Sequence, residues 1–158
     1  MVTIVWASVL WILVFILLPL ERIKILWPVA VVSFIWMFAL NYTFIQLGYY
    51  QFTKYILVVG GVPVLVPIGG AAGGILLINW IQRSAWFKIV LVLVFSGILN
   101  LATTVFMWFD AFKMLHGFNH FLHFVVNVAG ISILVWLSLA LVDNEKIYND
   151  KDKTRFIR

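Results

Sequence analysis

Five runs of apolar residues, each ended by a short polar stretch, organise this chain of 158 residues. They cover about Val2 to Leu20, Ile25 to Gln46, Tyr55 to Trp80, Trp86 to Phe109 and Phe118 to Val142. A helix needs about 20 apolar residues to cross roughly 30 Å of hydrocarbon, so each run predicts one transmembrane helix. The expected fold class is all-α: an integral membrane bundle of five transmembrane helices over 1–142, followed by a charged cytoplasmic tail over 143–158. The connections are too short to hold a separate soluble domain.

Positive charge gives the bundle a direction. The first connection carries Arg22 and Lys24, the third Arg83 and Lys88, and the tail Lys146, Lys151, Lys153, Arg155 and Arg158; the other two connections hold only Lys54 and Lys113. Basic residues collect on the cytoplasmic side, which predicts the N-terminus outside and the C-terminus inside, as an odd number of spans requires. Aromatic residues cluster at the run ends, with Trp27, Trp80 and Trp86 toward the inner face and Tyr49, Tyr50, Tyr55 and Trp108 toward the outer. Amphipathic rings favour that depth.

Composition agrees: the hydrophobic fraction is 65% and the mean hydropathy +1.10. The net charge of +5 is accounted for by topology, and without a basic domain no nucleic-acid partner is expected. The first run lacks a basic leader and a small-residue cleavage site, so it reads as a retained span rather than a removable signal. With no cysteine, disulfides, thiolate metal sites and a cysteine nucleophile are excluded. The lipid bilayer is the expected partner and a multi-pass position in the cell membrane the expected location.

The third run is irregular. Pro63 and Pro67 each remove a helical hydrogen bond and predict a kink or short break near Gly60 to Pro67. Gly69 with Gly73, and Gly70 with Gly74, form overlapping small-xxx-small pairs that predict close helix packing. Two readings stay open: a broken helix lining a transport site, or a bent, tightly packed central helix.

Polar residues form two stripes. In the stretch leading into and along the fifth run, His116, His120, His123 and Asn127 recur at spacings of four, three and four, and the fourth run and its outer end offer Asn100, Thr103 and Asp110. At about 1.5 Å of rise per residue, an antiparallel hairpin sets Asn100 level with Asn127, Thr103 with His123, and Asp110 with His116. This ladder predicts hydrogen bonds that join the two helices. It also offers a candidate metal site: His116 and His120 have the i, i+4 spacing by which a helix presents two imidazoles to one ion, with Asp110 as third ligand or orienter. A divalent metal is the cofactor such a cluster suits. Haem with two histidine ligands would need a dimer or a methionine, because every histidine lies on one run. Serine chemistry is excluded by distance, since Ser96 sits about 12 Å below His123. A paired-aspartate site fails because Asp110 is the only carboxylate in the outer half.

The layout resembles small multi-pass membrane proteins of unassigned function from spore-forming Gram-positive bacteria. The residues that carry the resemblance are the Leu47-Gly48-Tyr49-Tyr50 turn, the proline-containing third run and the His116-Gly117-Phe118-Asn119 stretch. It implies a membrane location and no particular activity. The reading expected from the residues is a structural or interaction component of a membrane assembly, with a His/Asp cluster near the outer face. An oligomeric transporter or channel subunit is the alternative, and a metal- or haem-binding membrane protein the third. A homo-oligomer or another membrane protein is the expected partner. No charged residue falls in the middle of a run, which weakens the transport reading.

Overall fold

The computed structural model describes residues 2–148; Lys151, Lys153, Arg155 and Arg158 of the expected tail lie outside the described residues. In chain order the elements are α1 (Val2–Leu17), α2 (Leu20–Gln46), β1 (Tyr50–Phe52), β2 (Val58–Val59), β3 (Val62–Pro63), α3 (Leu65–Trp80), α4 (Ala85–Trp108), β4 (Phe112–Met114), α5 (His120–Leu141) and α6 (Asn144–Tyr148).

Three helices, α2, α4 and α5, are long and apolar enough to cross a membrane. Their outward side chains are those that lipid rather than water would cover: Leu101 and Trp136 are each 68% exposed. Contiguous apolar surface of this extent is foreign to a soluble monomer, and the chain is accordingly consistent with a membrane-embedded protein. α1 and α3 have 16 residues each, or about 24 Å of helix.

Proline separates the first two helices. Pro19, extended at φ −67°, ends the first run and sits at the N-cap of α2, because the residue before a proline disfavours helical geometry. The third run departs from its expectation. Residues 58–63 form a two-stranded hairpin, with Val58 opposite Pro63 and Val59 opposite Val62. Gly60 and Gly61 make its turn at φ 58° and 85°, the left-handed pair that a two-residue hairpin loop demands. Pro63 therefore lies outside any helix, and Pro67 is the third residue of α3, where a backbone N–H has no helical acceptor to lose. The expected irregularity is thus a break and not a bend within a helix: α3 begins at Leu65, after the hairpin.

α3 is the centre of the bundle. Twelve of its sixteen residues are buried, and it packs mainly against α1 and α2; α5 packs on α2, and α4 on α5. Glycine and alanine make that centrality feasible by letting neighbouring backbones approach. Indole groups bolt helices together: Trp11 Nε1 donates to the Ile68 carbonyl at 3.1 Å and Trp36 Nε1 to the Gly130 carbonyl at 2.8 Å.

One end is capped by an antiparallel ladder between β1 and β4, in register Tyr50↔Met114, Gln51↔Lys113 and Phe52↔Phe112. At the opposite end the fully buried Arg22 holds α6: its Nε donates to Asn79 Oδ1 at 2.9 Å and its Nη2 to the Ile147 carbonyl at 2.7 Å, while Nη1 donates to the Lys146 carbonyl. Val2 packs at the capped end, so the described chain begins and finishes at opposite ends of the bundle.

Candidate functional site

Beneath the β1–β4 cap lies a half-open chamber of about 80 Å³, walled by all five long helices and the cap. His123 is on its wall. Asn119 starts α5 just above by accepting from the N–H groups of Phe121 and Leu122 at 3.0 and 3.1 Å, a side-chain N-cap that sets the rotation of the helix. The rotation turns His123 inward, and the residue is 9% exposed.

Two asparagines meet the same ring atom. His123 Nδ1 is 3.0 Å from Asn100 Oδ1 on α4 and 3.2 Å from Asn127 Nδ2 on its own helix. An imidazole nitrogen carries a proton or a lone pair, never both. In one tautomer Nδ1–H donates to Asn100 and Nε2 is an acceptor; in the other Asn127 donates to Nδ1 and Nε2 becomes a donor. The same ring thus offers a ligand either polarity at Nε2 without gaining charge.

The other polar wall is made by Tyr50 and Asn41. The phenol donates to Asn41 Oδ1 at 3.0 Å, and Asn41 Nδ2 donates to the Met37 carbonyl at 2.8 Å. Tyr50 lies in the cap, and its burial pushes the phenol well above its usual pKa: desolvation disfavours the phenolate. Phe112 and Phe118 close the lid, their rings 4.8 and 5.8 Å from the Tyr50 ring and 6.1 and 6.0 Å from that of His123. Trp6 of α1 completes the chamber. Its Nε1 is buried and has no hydrogen-bond partner among the described residues, which is costly for an indole N–H.

The expected ladder is only partly assembled. Asn100, His123 and Asn127 come together as described, with Asn100 bonded to His123 rather than level with Asn127. Thr103 lines the chamber, but its hydroxyl donates to the Leu99 carbonyl at 3.0 Å. Asp110, His116 and His120 do not converge. His116 and Asp110 have left-handed backbones, at φ 51° and 52°, so the chain turns on either side of β4 and α5 begins only at His120. With His116 outside the helix, its i, i+4 relation to His120 does not exist. Its Nδ1 pairs instead with the Gly48 carbonyl at 2.7 Å, and Asp110 faces Lys113 at 3.3 Å and Lys54 at 3.8 Å. Among the described residues no group of three His, Asp or Glu side chains is placed to hold a metal.

The glycine stripe is divided as well. A methyl group on Gly69 would strike Trp6, on Gly70 would press on Met37, and on Gly74 would strike Ser33; on Gly73 it would meet nothing within 4 Å. Three of the four are packing positions and the fourth opens on space.

Reading the residue pattern missed Asn41, Tyr50 and Trp6 as chamber residues. Asn41 had a signal, an amide deep in an apolar run, whereas Tyr50 looked like an interfacial ring. Arg22 counted only as a topogenic charge, and its buried contact with Asn79 and α6 has no signature at that spacing. Comparison with family models, curated proteins and solved structures gives no match.

Proposed function

We propose that this protein is a five-span, non-catalytic membrane component that holds a small neutral ligand in the chamber beneath its outer cap. The observation that carries the reading is His123, suspended between Asn100 and Asn127 on the wall of a half-open chamber in an otherwise lipid-facing bundle. Groups that donate or accept without ionising suit a ligand recognised by hydrogen bonds. In this reading α1 and α3 also cross the bilayer, with their shortfall in helix length covered by the cap and by flanking residues. The cap faces outward and α6 faces the cytoplasm, in keeping with the basic residues at the α6 end.

The cavity wall favours binding over conduction. Below Asn127 the surface turns apolar, and among the described residues no Asp, Glu, Lys or Arg lines the path, whereas ion or proton routes are marked by ionisable side chains.

Two experiments test the reading. Small molecules extracted from wild type purified in native lipid nanodiscs are compared by mass spectrometry with those from a His123→Leu, Asn127→Leu variant. A neutral species enriched in the wild type is expected, and identical extracts overturn ligand binding. For topology, single cysteines replacing Gln51 or Ser84 are exposed to an impermeant maleimide on intact cells. Labelling at 51 alone is expected; labelling at 84 alone inverts the orientation.

A further inference from the structure

We propose that the ligand is a neutral single-chain amphiphile, with its head against His123, Asn127 and Tyr50 and its hydrocarbon tail in a second, apolar chamber along α3. The proposal rests on the ligand-binding reading above and names the class of ligand.

The second chamber, of about 90 Å³, continues directly from the first. Trp6, Met37, Leu40, Leu99 and Asn127 line both, so the two are successive lengths of one channel-shaped space. Its polarity changes once along the way. The upper length presents Tyr50, His123, Asn127 and Thr103, whereas the lower is walled mainly by Leu77, Phe95, Ile98, Ile131 and Leu134. A polar solute would leave the lower length unmatched, and a plain hydrocarbon the upper.

Glycine keeps the lower length open. Gly73 faces it with nothing within 4 Å of where a Cβ would stand, so a bare backbone forms part of the wall.

Length and charge narrow the class. From His123 to Leu134 along α5 is about 16 Å, the reach of an extended chain of about twelve carbons joined by bonds of about 1.5 Å; the chambers, of about 80 and 90 Å³ and half open, enclose part of such a chain and leave the rest against lipid. Among the described residues no Lys or Arg lines either chamber. An ionised phosphate or carboxylate entering would lose its hydration without a counter-charge, so the head is an alcohol, amide, ester or carbonyl. α4 buries four residues of 24 and packs chiefly on α5, which makes the α4 side the route by which a molecule dissolved in lipid would enter.

The test is photo-crosslinking in nanodiscs with dodecanol carrying a terminal diazirine, alongside a butanol analogue that reaches only the upper chamber. The dodecanol probe is expected to label α3 near Gly73 to Leu77 and α5 near Leu134, and unlabelled dodecanol in excess should reduce that labelling by about tenfold, as competition for one saturable site does. Labelling of the lipid-facing Leu101 and Trp136 should not saturate. Gly73→Leu should abolish the lower labels and spare labelling by the butanol probe near His123. Chamber labels that do not saturate overturn the proposal on wild type alone, whatever the fate of the variant. Equal competition by dodecyl phosphate overturns the neutral head. If the butanol probe labels the upper chamber and the dodecanol probe misses the lower, the tail assignment falls and the ligand-binding reading survives; if neither probe labels, both fall.

Discussion

Adding one methyl group at Gly74 or at Gly73, adjacent positions on α3, should have opposite consequences. At Gly74 an ideal Cβ would lie 1.9 Å from Ser33 Oγ and 2.7 Å from Ser33 Cβ, so α2 and α3 must separate or Ser33 must leave its position. Overpacking of this kind costs about 1–3 kcal/mol. Against it stands the roughly 0.5–1 kcal/mol that alanine gains over glycine inside a helix, which leaves Gly74→Ala destabilised by about 1–2 kcal/mol. At Gly73 the methyl meets open space, and Gly73→Ala should be neutral or stabilised by up to about 1 kcal/mol. Reversible unfolding in mixed micelles, followed by circular dichroism, measures both. Ser33→Gly removes the obstructing atoms, so a double-mutant cycle should return most of the loss, a coupling of about 1–2 kcal/mol. Equal tolerance of Gly73→Ala and Gly74→Ala, or a cycle with no coupling, would refute this account of how α2 and α3 meet.

Arg22→Met should cost about 1–3 kcal/mol, the penalty for leaving a buried acceptor such as Asn79 Oδ1 without its donor, and should free α6 for proteolysis; a variant whose α6 stays protected would show that Arg22 does not hold it. Asn100→Ala and Asn127→Ala should each cost no more than about 0.6 kcal/mol, a usual interhelical hydrogen bond. Either asparagine can serve His123 Nδ1 alone, so the double variant should lose more than the two singles together, and simple additivity would deny the shared atom. The buried Tyr50 phenol has a folded-state pKa above its unfolded one, so its contribution to stability is whole below about pH 10 and is lost as pH rises from there toward the folded value. The free energy of unfolding, measured from about pH 9 to about pH 11, should fall more steeply for wild type than for Tyr50→Phe, and parallel curves would contradict the burial of the phenol.

Hydrophobic run length locates the helices well where capping residues agree with it. Asn119 shows what run length alone cannot see. The apolar pattern extends the fifth helix back to Phe118, yet the asparagine amide oxygen claims two N–H groups and Gly117 supplies a left-handed residue at φ 77°. The histidine periodicity that suggested a metal site therefore crosses a helix boundary. A period of 3.6 residues has meaning only inside one helix. Val58-Val59-Gly60-Gly61-Val62-Pro63 makes the same point in the third run: a Gly-Gly pair between two short β-branched segments is a hairpin signal, and apolar composition concealed it.

Polar residues in apolar helices are read more securely as members of a shared interior than as rungs at matching heights. Asn41, Asn100, His123 and Asn127 come from three helices and serve one region, because lipid leaves them no other acceptable environment. Which one meets which depends on tilt and rotation, set by bolts such as Trp36 to Gly130 that have no sequence period. A difference of about one turn, or 5.4 Å, is enough to join Asn100 to His123 instead of Asn127. The same shift separates a hydrogen-bonded seam from a cavity: where the turns interlock, the helices close, and where small residues face each other at the wrong height, space remains. Gly73 sits at such a place, so a glycine stripe that looks uniform in one dimension becomes three contacts and an opening in three.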